Sequence, residues 1–336
     1  MARTGKTDPM RIAVIGAGMA GLNAAQTLAD RGYDVVVVEK SRGAGGRMST
    51  RRQEGFRFDH GAQYFTARDP RFLRQVLAWQ KRGLVKEWEP RIAVVGDHNR
   101  NGETSNTKRY IAMPSMNSIC RALAEQLADC RFGWQVQALE RTETGWVLHS
   151  DTDETLKADF LLCTMPPEQA SALLADPVID QLLSRVEMLP CWALMVVLDR
   201  PLLAENDAAF INQGPLSWVA SQSARPGRPS VHAWVLHASP EWSLKHLDRS
   251  SEDVAGLLLE AAGSLPQARR FTVKSAIAHR WRYALARQPL EVEVLWIGSR
   301  RLAFAGDWCH GSRVEGAFLS GFAAARKIIG STITRG

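Results

Sequence analysis

The stretch that decides the fold is residues 11–47, RIAVIGAGMAGLNAAQTLADRGYDVVVVEKSRGAGGR. It opens with a short apolar strand at 12–15, and the run GAGMAG at 16–21 follows as a tight turn that starts a helix. A second apolar strand at 35–38 ends at Glu39. This order predicts a βαβ unit with a glycine turn between its first strand and its helix.

The glycines of this turn have separate roles in a dinucleotide site. Gly16 allows the turn, Gly18 lets a pyrophosphate approach the backbone at the helix start, and Gly21 lets the helix press on the sheet. Glu39 lies eighteen residues after Gly21, where a carboxylate accepts the hydroxyls of an adenosine ribose. Because a carboxylate repels a 2′-phosphate, the pattern favours FAD or NAD over NADP.

A second glycine-rich, basic stretch follows the ribose acid and favours a flavin. Residues 41–48 read SRGAGGRM, and a nicotinamide-binding Rossmann domain has no use for such a run. In a flavin protein Gly45 and Gly46 allow close backbone approach, and Arg47 faces the diphosphate or the flavin. The alternative is a solvated loop with an incidental arginine. The predicted cofactor is FAD.

Length and composition are typical of a globular enzyme. The chain has 336 residues, 45% of them hydrophobic. Residues 1–9 contain no apolar stretch that resembles a secretion signal and are expected to be a flexible extension, and no apolar run approaches the length of a membrane span. Five cysteines without a C-x-x-C pair favour free thiols in a reducing cytoplasm over a disulfide framework or a metal site.

The formal net charge of +7 does not indicate nucleic-acid binding. The arginines are scattered, their densest group at 42–74 overlaps the predicted cofactor stretch, and no basic and aromatic cluster of an RNA-binding module is present. The excess charge suits an anionic small substrate or the cofactor diphosphate. We expect neither a nucleic-acid nor a membrane partner, and the oligomeric state is left open.

Residues 56–65 alternate in polarity and then break at a glycine, which predicts a strand that runs into a loop. If Arg47 lies over the cofactor, three residues of this loop return close to it: Gly61, Ala62 and Gln63. Gln63 and Tyr64 are then expected to present polar tips to the flavin ring. The alternative is a strand end with a buried tyrosine.

The middle of the chain predicts several further elements. They are a helix at 71–81, a mobile hairpin tip at 96–102, a helix from Ser115 or Asn117 to about 128, and a three-stranded meander at 132–139, 145–149 and 160–164. From 170 to 287 the pattern changes to amphipathic helices and long strands, including 191–198 and 231–237, which predicts a second domain. Residues 224–229, ARPGRP, predict a surface loop.

The end of the chain returns to a nucleotide-binding pattern. Residues 302–307 form a buried strand that ends in Asp307, and 313–317 open a final helix to about 329. Asp307 is placed to bind a ribityl or phosphate-proximal hydroxyl, and the helix start favours negative charge on a reduced flavin. We therefore expect both ends of the chain to hold one long dinucleotide, although one more βα unit of the sheet is the alternative.

These motifs resemble those of the flavin-containing amine oxidase superfamily and, within it, the bacterial renalases. The residues that carry the resemblance are RGAGGRMS at 42–49, DHGAQYFTARD at 59–69, WVLHA at 234–238, HRWRYA at 279–284 and GDWC at 306–309. The resemblance runs from about residue 11 to 329, over both predicted domains.

The resemblance implies an α/β fold in which an FAD-binding Rossmann-like domain of the glutathione-reductase type is interleaved with a substrate domain of mixed sheet plus helices. The predicted FAD-binding segments are 10–65, 116–168 and 293–332, and the substrate segments are 66–115 and 169–292. The predicted FAD contacts are Gly16, Gly18, Met19, Ala20, Gly21, Glu39, Lys40, Gly46, Arg47, Met48, Gly61, Ala62, Gln63, Val136, Thr164, Asp307, Val314, Glu315 and Ala317.

The resemblance also implies an activity. Renalases use FAD to oxidise dihydronicotinamide dinucleotides reduced at ring positions 2 or 6 to NAD(P)+, and molecular oxygen takes the electrons as hydrogen peroxide. The predicted catalytic residues are His237, Gln63 and Tyr64, and the predicted substrate contacts are Trp234, His279, Trp281 and Tyr283. On the alternating strand at 231–237, His237 shares the face of Val231, Ala233 and Val235, so a core role is its alternative.

Two other function classes stay open. An amine oxidase or desaturase would need an aromatic cage and often a lysine near flavin N5, for which Lys245 and Lys274 are candidates outside any matched motif. Cys309 lies too close to the terminal A-G-D for the usual covalent attachment, so noncovalent FAD is expected. The other class is a non-catalytic flavin-binding redox sensor.

Overall fold

The computed structural model describes residues 9–53, 55–96 and 107–333, with side chains up to Ser331. Of the extension predicted at 1–9, residues 1–8 lie outside these ranges, and so do residues 97–102 of the hairpin tip predicted at 96–102. The chain divides into two compact units. The first unit comprises Met1–Gly46, Cys120–Val186 and Gln288–Gly336, and the second comprises Arg47–Ile119 and Glu187–Arg287. The sequence analysis places the corresponding changes after residues 65, 115, 168 and 292.

Strands outnumber helices in the described chain. The strands are β1 (Arg11–Ile15), β2 (Asp34–Glu39), β3 (Thr50–Gln53), β4 (Phe56–Asp59), β5 (Val85–Glu87), β6 (Ile92–Val95), β7 (Tyr110–Ala112), β8 (Asp129–Phe132), β9 (Val136–Arg141), β10 (Trp146–Ser150), β11 (Thr155–Ala158), β12 (Phe160–Cys163), β13 (Met188–Leu198), β14 (Ala208–Ile211), β15 (Leu216–Ser221), β16 (Ala233–Ala238), β17 (Val273–Ala286), β18 (Leu295–Ile297) and β19 (Leu302–Phe304). The helices are α1 (Met19–Ala29), α2 (Pro70–Lys81), α3 (Ser118–Ala124), α4 (Pro167–Leu174), α5 (Pro177–Leu183), α6 (Pro240–Lys245), α7 (Ser251–Gly263), α8 (Asp307–His310) and α9 (Val314–Ile333). Among these helices, none combines the length and the apolar character that a membrane span needs.

The first unit is built on a six-stranded sheet in the order β18-β19-β12-β1-β2-β8. All neighbours pair in parallel except β18, which is antiparallel to β19. The four valines of β2 are buried, as expected of a parallel strand covered on both faces. Glycine allows α9 to cross α1 closely, because a Cβ on Gly321 would overlap the backbone of Ala20. The predicted βαβ unit and Rossmann-like fold are confirmed.

Two predictions between residues 115 and 164 are wrong in detail. The helix predicted to reach about 128 ends at Ala124, because β8 begins at Asp129 and pairs with β2. The meander consists of β9, β10 and β11, whereas the strand predicted as its third member is β12 of the parallel sheet. All four residues of β12 are buried, which suits a central parallel strand, while β11 alternates between exposed and buried positions.

The second unit contains a mixed six-stranded sheet in the order β17-β13-β16-β15-β14-β6. Its neighbours pair antiparallel except β14 and β6, which are parallel. One face of the sheet holds a large apolar core that includes residues of α7, such as Leu258. The other face holds a smaller apolar cluster in which Phe58 of β4 joins Met195 and Val235. The strands predicted at 191–198 and 231–237 are β13 and β16, with shifted ends.

Candidate active site

The glycine turn of the first unit follows β1 where the strand order of the sheet reverses, between β1 and β12. Gly16 has a φ of +109°, and a Cβ there would lie 2.6 Å from Thr164 Oγ1. The Thr164 hydroxyl is fixed because it donates to the carbonyl oxygen of Ile15 at 2.8 Å. Backbone conformation and space therefore both require glycine at position 16.

Helix α1 begins beside open space. Its N-cap is Gly18, and among the described residues no atom other than those of its chain neighbours lies within 4 Å of a Cβ built on it. A Cβ on Gly21 would overlap the carbonyl oxygen of Gly16, so that the helix packs directly on the turn. The unpaired N–H groups of the first helical turn and the positive end of the helix dipole favour an anion such as a diphosphate at this helix start.

The carboxylate of Glu39 stabilises the backbone of the glycine turn. Its Oε2 accepts the N–H of Ala17 at 2.9 Å, and its Oε1 accepts the N–H of Ser41 at 2.8 Å. A carboxylate oxygen has more than one lone pair, so both oxygens can still accept ribose hydroxyls. The N–H of Gly45 donates to the carbonyl of Ala17 at 2.9 Å, which brings the second glycine run onto the first.

Asp307 lies at the same edge of the sheet as the glycine turn. Ile15, Cys163 and Phe304 are in register across β1, β12 and β19, so these three parallel strands end together. At roughly 4.8 Å between neighbouring strands, the end of β19 lies about 10 Å from that of β1. Asp307 is buried and begins α8 three residues after Phe304. The early and late segments of the first unit therefore meet at one edge, as the sequence predicts.

The other predicted cofactor residues of the first unit occupy varied positions. Met19 and Ala20 are buried in α1, and a Cβ built on Gly46 would lie 3.5 Å from the Cα of Gly18, an ordinary contact distance. Val136 opens β9, Lys40 is exposed, and the first turn of α9 contains Val314, Glu315 and Ala317. Cys309 is completely buried, with Sγ against the Phe304 carbonyl. The glycine turn, the helix start that follows it, and the acids Glu39 and Asp307 are consistent with a noncovalently bound dinucleotide.

In the second unit, the predicted cofactor residues form a tightly packed loop. The N–H of Ala62 donates to the carbonyl of Arg47 at 2.9 Å, and a Cβ on Gly61 would overlap the same oxygen. Arg47 Nη1 donates to the carbonyl of Ala284 at 3.1 Å, and Met48 is buried. Gly61 is therefore needed for close packing on Arg47.

Asp59 is the centre of a buried polar network that the sequence analysis does not assign. Its side chain is 1% exposed. Its Oδ2 accepts from Arg225 Nη1 at 3.1 Å and from Arg228 Nη2 at 2.5 Å. Its Oδ1 accepts from Thr50 Oγ1 at 2.5 Å and from the N–H of Met116 at 3.0 Å. The carboxylate thus meets four donors, as a buried charge requires.

The prediction of a surface loop at 224–229 is wrong for its two arginines. The side chains of Arg225 and Arg228 are 1% and 4% exposed, although Gly227 and Pro229 of the same loop lie at the surface. Two buried guanidinium groups need an acceptor, and Asp59 supplies it across more than 160 residues of sequence. The local pattern of proline, glycine and arginine carries no sign of that partner.

Gln63, predicted to be catalytic, has its side-chain amide inside this network. Its Oε1 accepts from Arg225 Nη2 at 2.8 Å and from Gln222 Nε2 at 3.3 Å, and its Nε2 donates to the backbone carbonyl of Asp59. The residue is 6% exposed. In this structure the amide stabilises the loop, and a contact with the flavin stays a prediction.

Tyr64, also predicted to be catalytic, lies among aromatic side chains. Its ring centroid is 5.7 Å from that of Trp218 and 6.0 Å from that of Trp88. The guanidinium carbon of Arg109 lies 5.5 Å from the centroid of the tyrosine ring, which is cation–π distance. Tyr64 is half-buried, and its catalytic role stays a prediction.

Three histidines and a tryptophan come together in the second unit, and we call them the ring cluster. His279 of β17 and His237 of β16 are both in register with Ala193 of β13, which places them on one face of the sheet. The ring of His60 lies 4.8 Å from that of His279 and 5.0 Å from that of Trp281. The ring cluster is His60, His237, His279 and Trp281.

The backbone of His60 is fixed by two members of the cluster. His237 Nε2 and Trp281 Nε1 each lie 3.0 Å from the His60 carbonyl oxygen. A carbonyl only accepts, so His237 carries its proton on Nε2. His237 therefore positions the loop at 60–62, and its predicted catalytic role stays untested.

The histidines of the ring cluster are neutral at pH 7. Burial lowers the pKa of His60 to about 3 and that of His237 to about 4, and it also lowers the pKa of His279. Neighbouring positive charge adds to the lowering of these pKa values: His279 and, more weakly, His237 and Arg51 act on His60. Arg51 also acts on His279, and Arg225 acts on His237. Over the described residues, no group of three His, Cys, Asp or Glu side chains is arranged to hold a metal ion.

The remaining predicted substrate residues separate into two sets. His279, Trp281 and Tyr283 are half-buried and alternate along one face of β17. Trp234 lies instead in the large apolar core, on the sheet face away from Val235, and is 2% exposed. Its contacts are those of a packing residue. Lys245 and Lys274, the lysines considered for an amine oxidase, are both exposed.

The sequence analysis misses the buried residues that support the loop at 59–63. They are Asp59, His60, Gln222, Arg225 and Arg228. Asp59 and His60 do stand in the motif DHGAQ, where a buried acid at a strand end signals a polar partner. The three later residues carry no such local signal.

Two family models match the chain. A model of NAD(P)-binding Rossmann-like domains matches residues 14–78, and a model of flavin-containing amine oxidoreductases matches residues 83–329. The second match covers well over half of the chain.

Solved structures share the fold at low sequence identity. A putative protoporphyrinogen oxidase from Exiguobacterium sp. 255-15 superposes with a TM-score of 0.77 at 13% identity, over 96% of this chain and 99% of that one. A putrescine oxidase with a redesigned cofactor site superposes with a TM-score of 0.70 at 15% identity, over 96% of this chain and 100% of that one. At these identities the likeness concerns the fold alone.

A curated relative matches over a short segment. The 4,4′-diapophytoene desaturase (4,4′-diaponeurosporene-forming) of Staphylococcus aureus strain Newman is 50% identical over 52 residues, which is 16% of this chain and 10% of the desaturase. The match therefore spans about a tenth of that enzyme.

Proposed function

Because the chain belongs to the flavin-containing amine oxidoreductase family, we propose that it is an FAD-dependent oxidase of the 2- and 6-dihydro isomers of NAD(P)H. The cofactor is FAD, and we propose that it is bound noncovalently. Bound FAD would supply the hydride acceptor for this reaction, and molecular oxygen, together with one proton from solvent, would take up the two electrons as hydrogen peroxide.

The observation that carries this proposal is the electrostatic state of the ring cluster. Its histidines are neutral at pH 7, and the guanidinium group of Arg51 adds a positive charge, whereas the charge of Arg225 is balanced by Asp59. A flat, uncharged dihydropyridine ring with a phosphate-bearing tail suits such surroundings, since aromatic faces favour the ring and positive charge favours the tail.

The reaction does not require a catalytic acid or base for hydride transfer. A dihydropyridine loses hydride as its ring becomes aromatic, so no side chain has to remove a proton. The task of the protein is to orient the ring and to keep water away from it. His279 and Trp281 offer flat surfaces for this purpose, and the bonds from His237 and Trp281 to the His60 carbonyl keep the cluster rigid.

The second candidate is a flavin-containing amine oxidase or desaturase. The fold shared with putrescine oxidase and the short match to the desaturase favour it. A free amine, however, reaches the site mainly as a cation, which the positive charge of Arg51 disfavours. The ring cluster also contains no carboxylate to pair with an ammonium group.

The test is anaerobic reduction of the purified yellow holoprotein, followed by its flavin absorbance. We expect rapid bleaching by 6- or 2-dihydro-NAD(P) but not by ordinary NADPH, and recovery in air with one hydrogen peroxide per substrate. Bleaching only by amines would support the second candidate and overturn the first. Failure with every reductant, dithionite excepted, would indicate a non-catalytic flavin-binding protein.

A further inference from the structure

Arg51 is a half-buried arginine beside the ring cluster. It lies on β3, directly opposite Phe58 of β4 in the antiparallel ribbon that the two strands form. Residues opposite each other in such a ribbon share a face. Phe58 packs on the sheet with Met195 and Val235, so Arg51 lies on the side of the ribbon that faces the sheet. His60 follows β4 and falls on this same side by alternation.

The guanidinium group of Arg51 has no protein acceptor in the part of the chain that the structure describes. The carboxylate of the ribbon, Asp59, lies on the opposite face with Thr50 and already meets four donors. Five N–H donors and a full positive charge are therefore held partly out of water without a counter-ion. Partial desolvation of this charge costs free energy, and the binding of an anionic ligand offsets that cost.

The charge of Arg51 reaches the ring cluster. It lowers the pKa of both His60 and His279, so the guanidinium lies within electrostatic range of the two rings. Arg52, the next residue, points to the other face, is exposed and stands opposite Arg57. On β3, Arg51 therefore lies on the face toward the ring cluster, and Arg52 lies on the opposite face.

We propose that Arg51 binds the phosphate of a nucleotide substrate whose flat ring lies on the ring cluster. This inference rests on the proposed function and assigns a recognition residue to it. Arginine suits this task because its planar fork donates two parallel hydrogen bonds to a phosphate. The enzyme then selects phosphate-bearing dihydronicotinamides over the corresponding riboside.

The kinetic test compares R51Q with R52Q, which removes the same charge from the same strand on the opposite face. The substrates are the 6-dihydro isomers of nicotinamide mononucleotide and of nicotinamide riboside. We expect R51Q to raise KM for the mononucleotide by about 10- to 100-fold with kcat within about threefold, because a charge-assisted hydrogen bond is lost. The riboside should be unaffected, and R51K should restore part of the mononucleotide KM. R52Q should resemble the wild type.

A binding test does not depend on turnover. Inorganic pyrophosphate is titrated into the holoprotein, with calorimetry and the histidine NMR signals as readouts. We expect binding that R51Q abolishes and R52Q retains, together with a higher pKa of His60 and His279 as the anion offsets the positive charge. Equal pyrophosphate affinity in R51Q and wild type would overturn the inference, and so would equally tight binding of succinate.

The two tests separate the inference from the proposed function. If dihydro-NAD(P) isomers reduce the flavin but R51Q keeps the wild-type KM, the activity stands and the role of Arg51 falls. If no isomer reduces the flavin but Arg51 still binds pyrophosphate, the anion site stands and the proposed activity falls.

Discussion

Replacement of Asp59 by asparagine probes the network behind the ring cluster. Asparagine keeps the shape of the side chain but removes the charge and turns one acceptor into a donor. Oδ2 meets Arg225 and Arg228, while Oδ1 meets Thr50 and the N–H of Met116. At the Oδ2 position its NH2 group would face two guanidinium groups, and at the Oδ1 position it would face the N–H of Met116, although the Thr50 hydroxyl could turn to accept. Two guanidinium groups that are 1% and 4% exposed lose their counter-ion.

The expected cost is large because the arginines cannot reach water. Removal of one partner from a buried ion pair destabilises a protein by about 3–5 kcal/mol. For a domain of about 150–250 residues, each kcal/mol lowers Tm by roughly 2–4 °C. We therefore expect Asp59→Asn to lower the Tm of the unfolding step that includes the second unit by roughly 6–20 °C.

The assay is thermal and urea unfolding of the purified holoprotein, followed by far-UV circular dichroism. The control is Glu187→Gln, which breaks the pair with Arg287 at 2.7 Å, where the two side chains are 59% and 54% exposed. That surface pair should contribute little to stability, because water screens both charges. If Asp59→Asn cost no more than the control, the carboxylate would not be holding the arginines, and our account of the loop would be refuted.

Two further predictions concern acid stability and the glycine turn. The folded pKa values of His60 and His237, about 3 and about 4, lie below the ordinary 6.5, so the unfolded chain takes up protons first as pH falls. The free energy of unfolding measured with urea should fall by up to about 1.4 kcal/mol per pH unit for each histidine as the pH falls from 6.5 to 4. An unchanged pH dependence in His60→Gln would contradict the assignment. Gly21→Ala, whose methyl group would overlap the Gly16 carbonyl, should cost about 1–3 kcal/mol and lower the FAD content measured by absorbance. Gly256→Ala, in open space on α7, should keep full FAD content and gain up to about 1 kcal/mol, and equal behaviour of the two variants would count against the packing argument.

The βαβ unit is readable from sequence because its constraints are local. Gly16, Gly18 and Gly21 lie within six residues, and Glu39 ends the next strand. The same short range explains an error. A run of four apolar residues at β12 is compatible with a meander strand or a central parallel strand, and only pairing with β1 and β19 decides between them.

The amino-acid sequence by itself indicated the superfamily, through a resemblance carried by motifs from residue 42 to 309. Spacing along one segment was enough for the cofactor and for the face of β16 on which His237 lies. Tertiary structure alone decided what that histidine does. Its Nε2–H donates a hydrogen bond to the carbonyl of His60, nearly 180 residues away in sequence. It also decided that Arg225 and Arg228 are buried against Asp59. Hydrogen-bond and charge partners depend on proximity in space, and the sequence around a buried arginine does not record which distant carboxylate the fold brings to it.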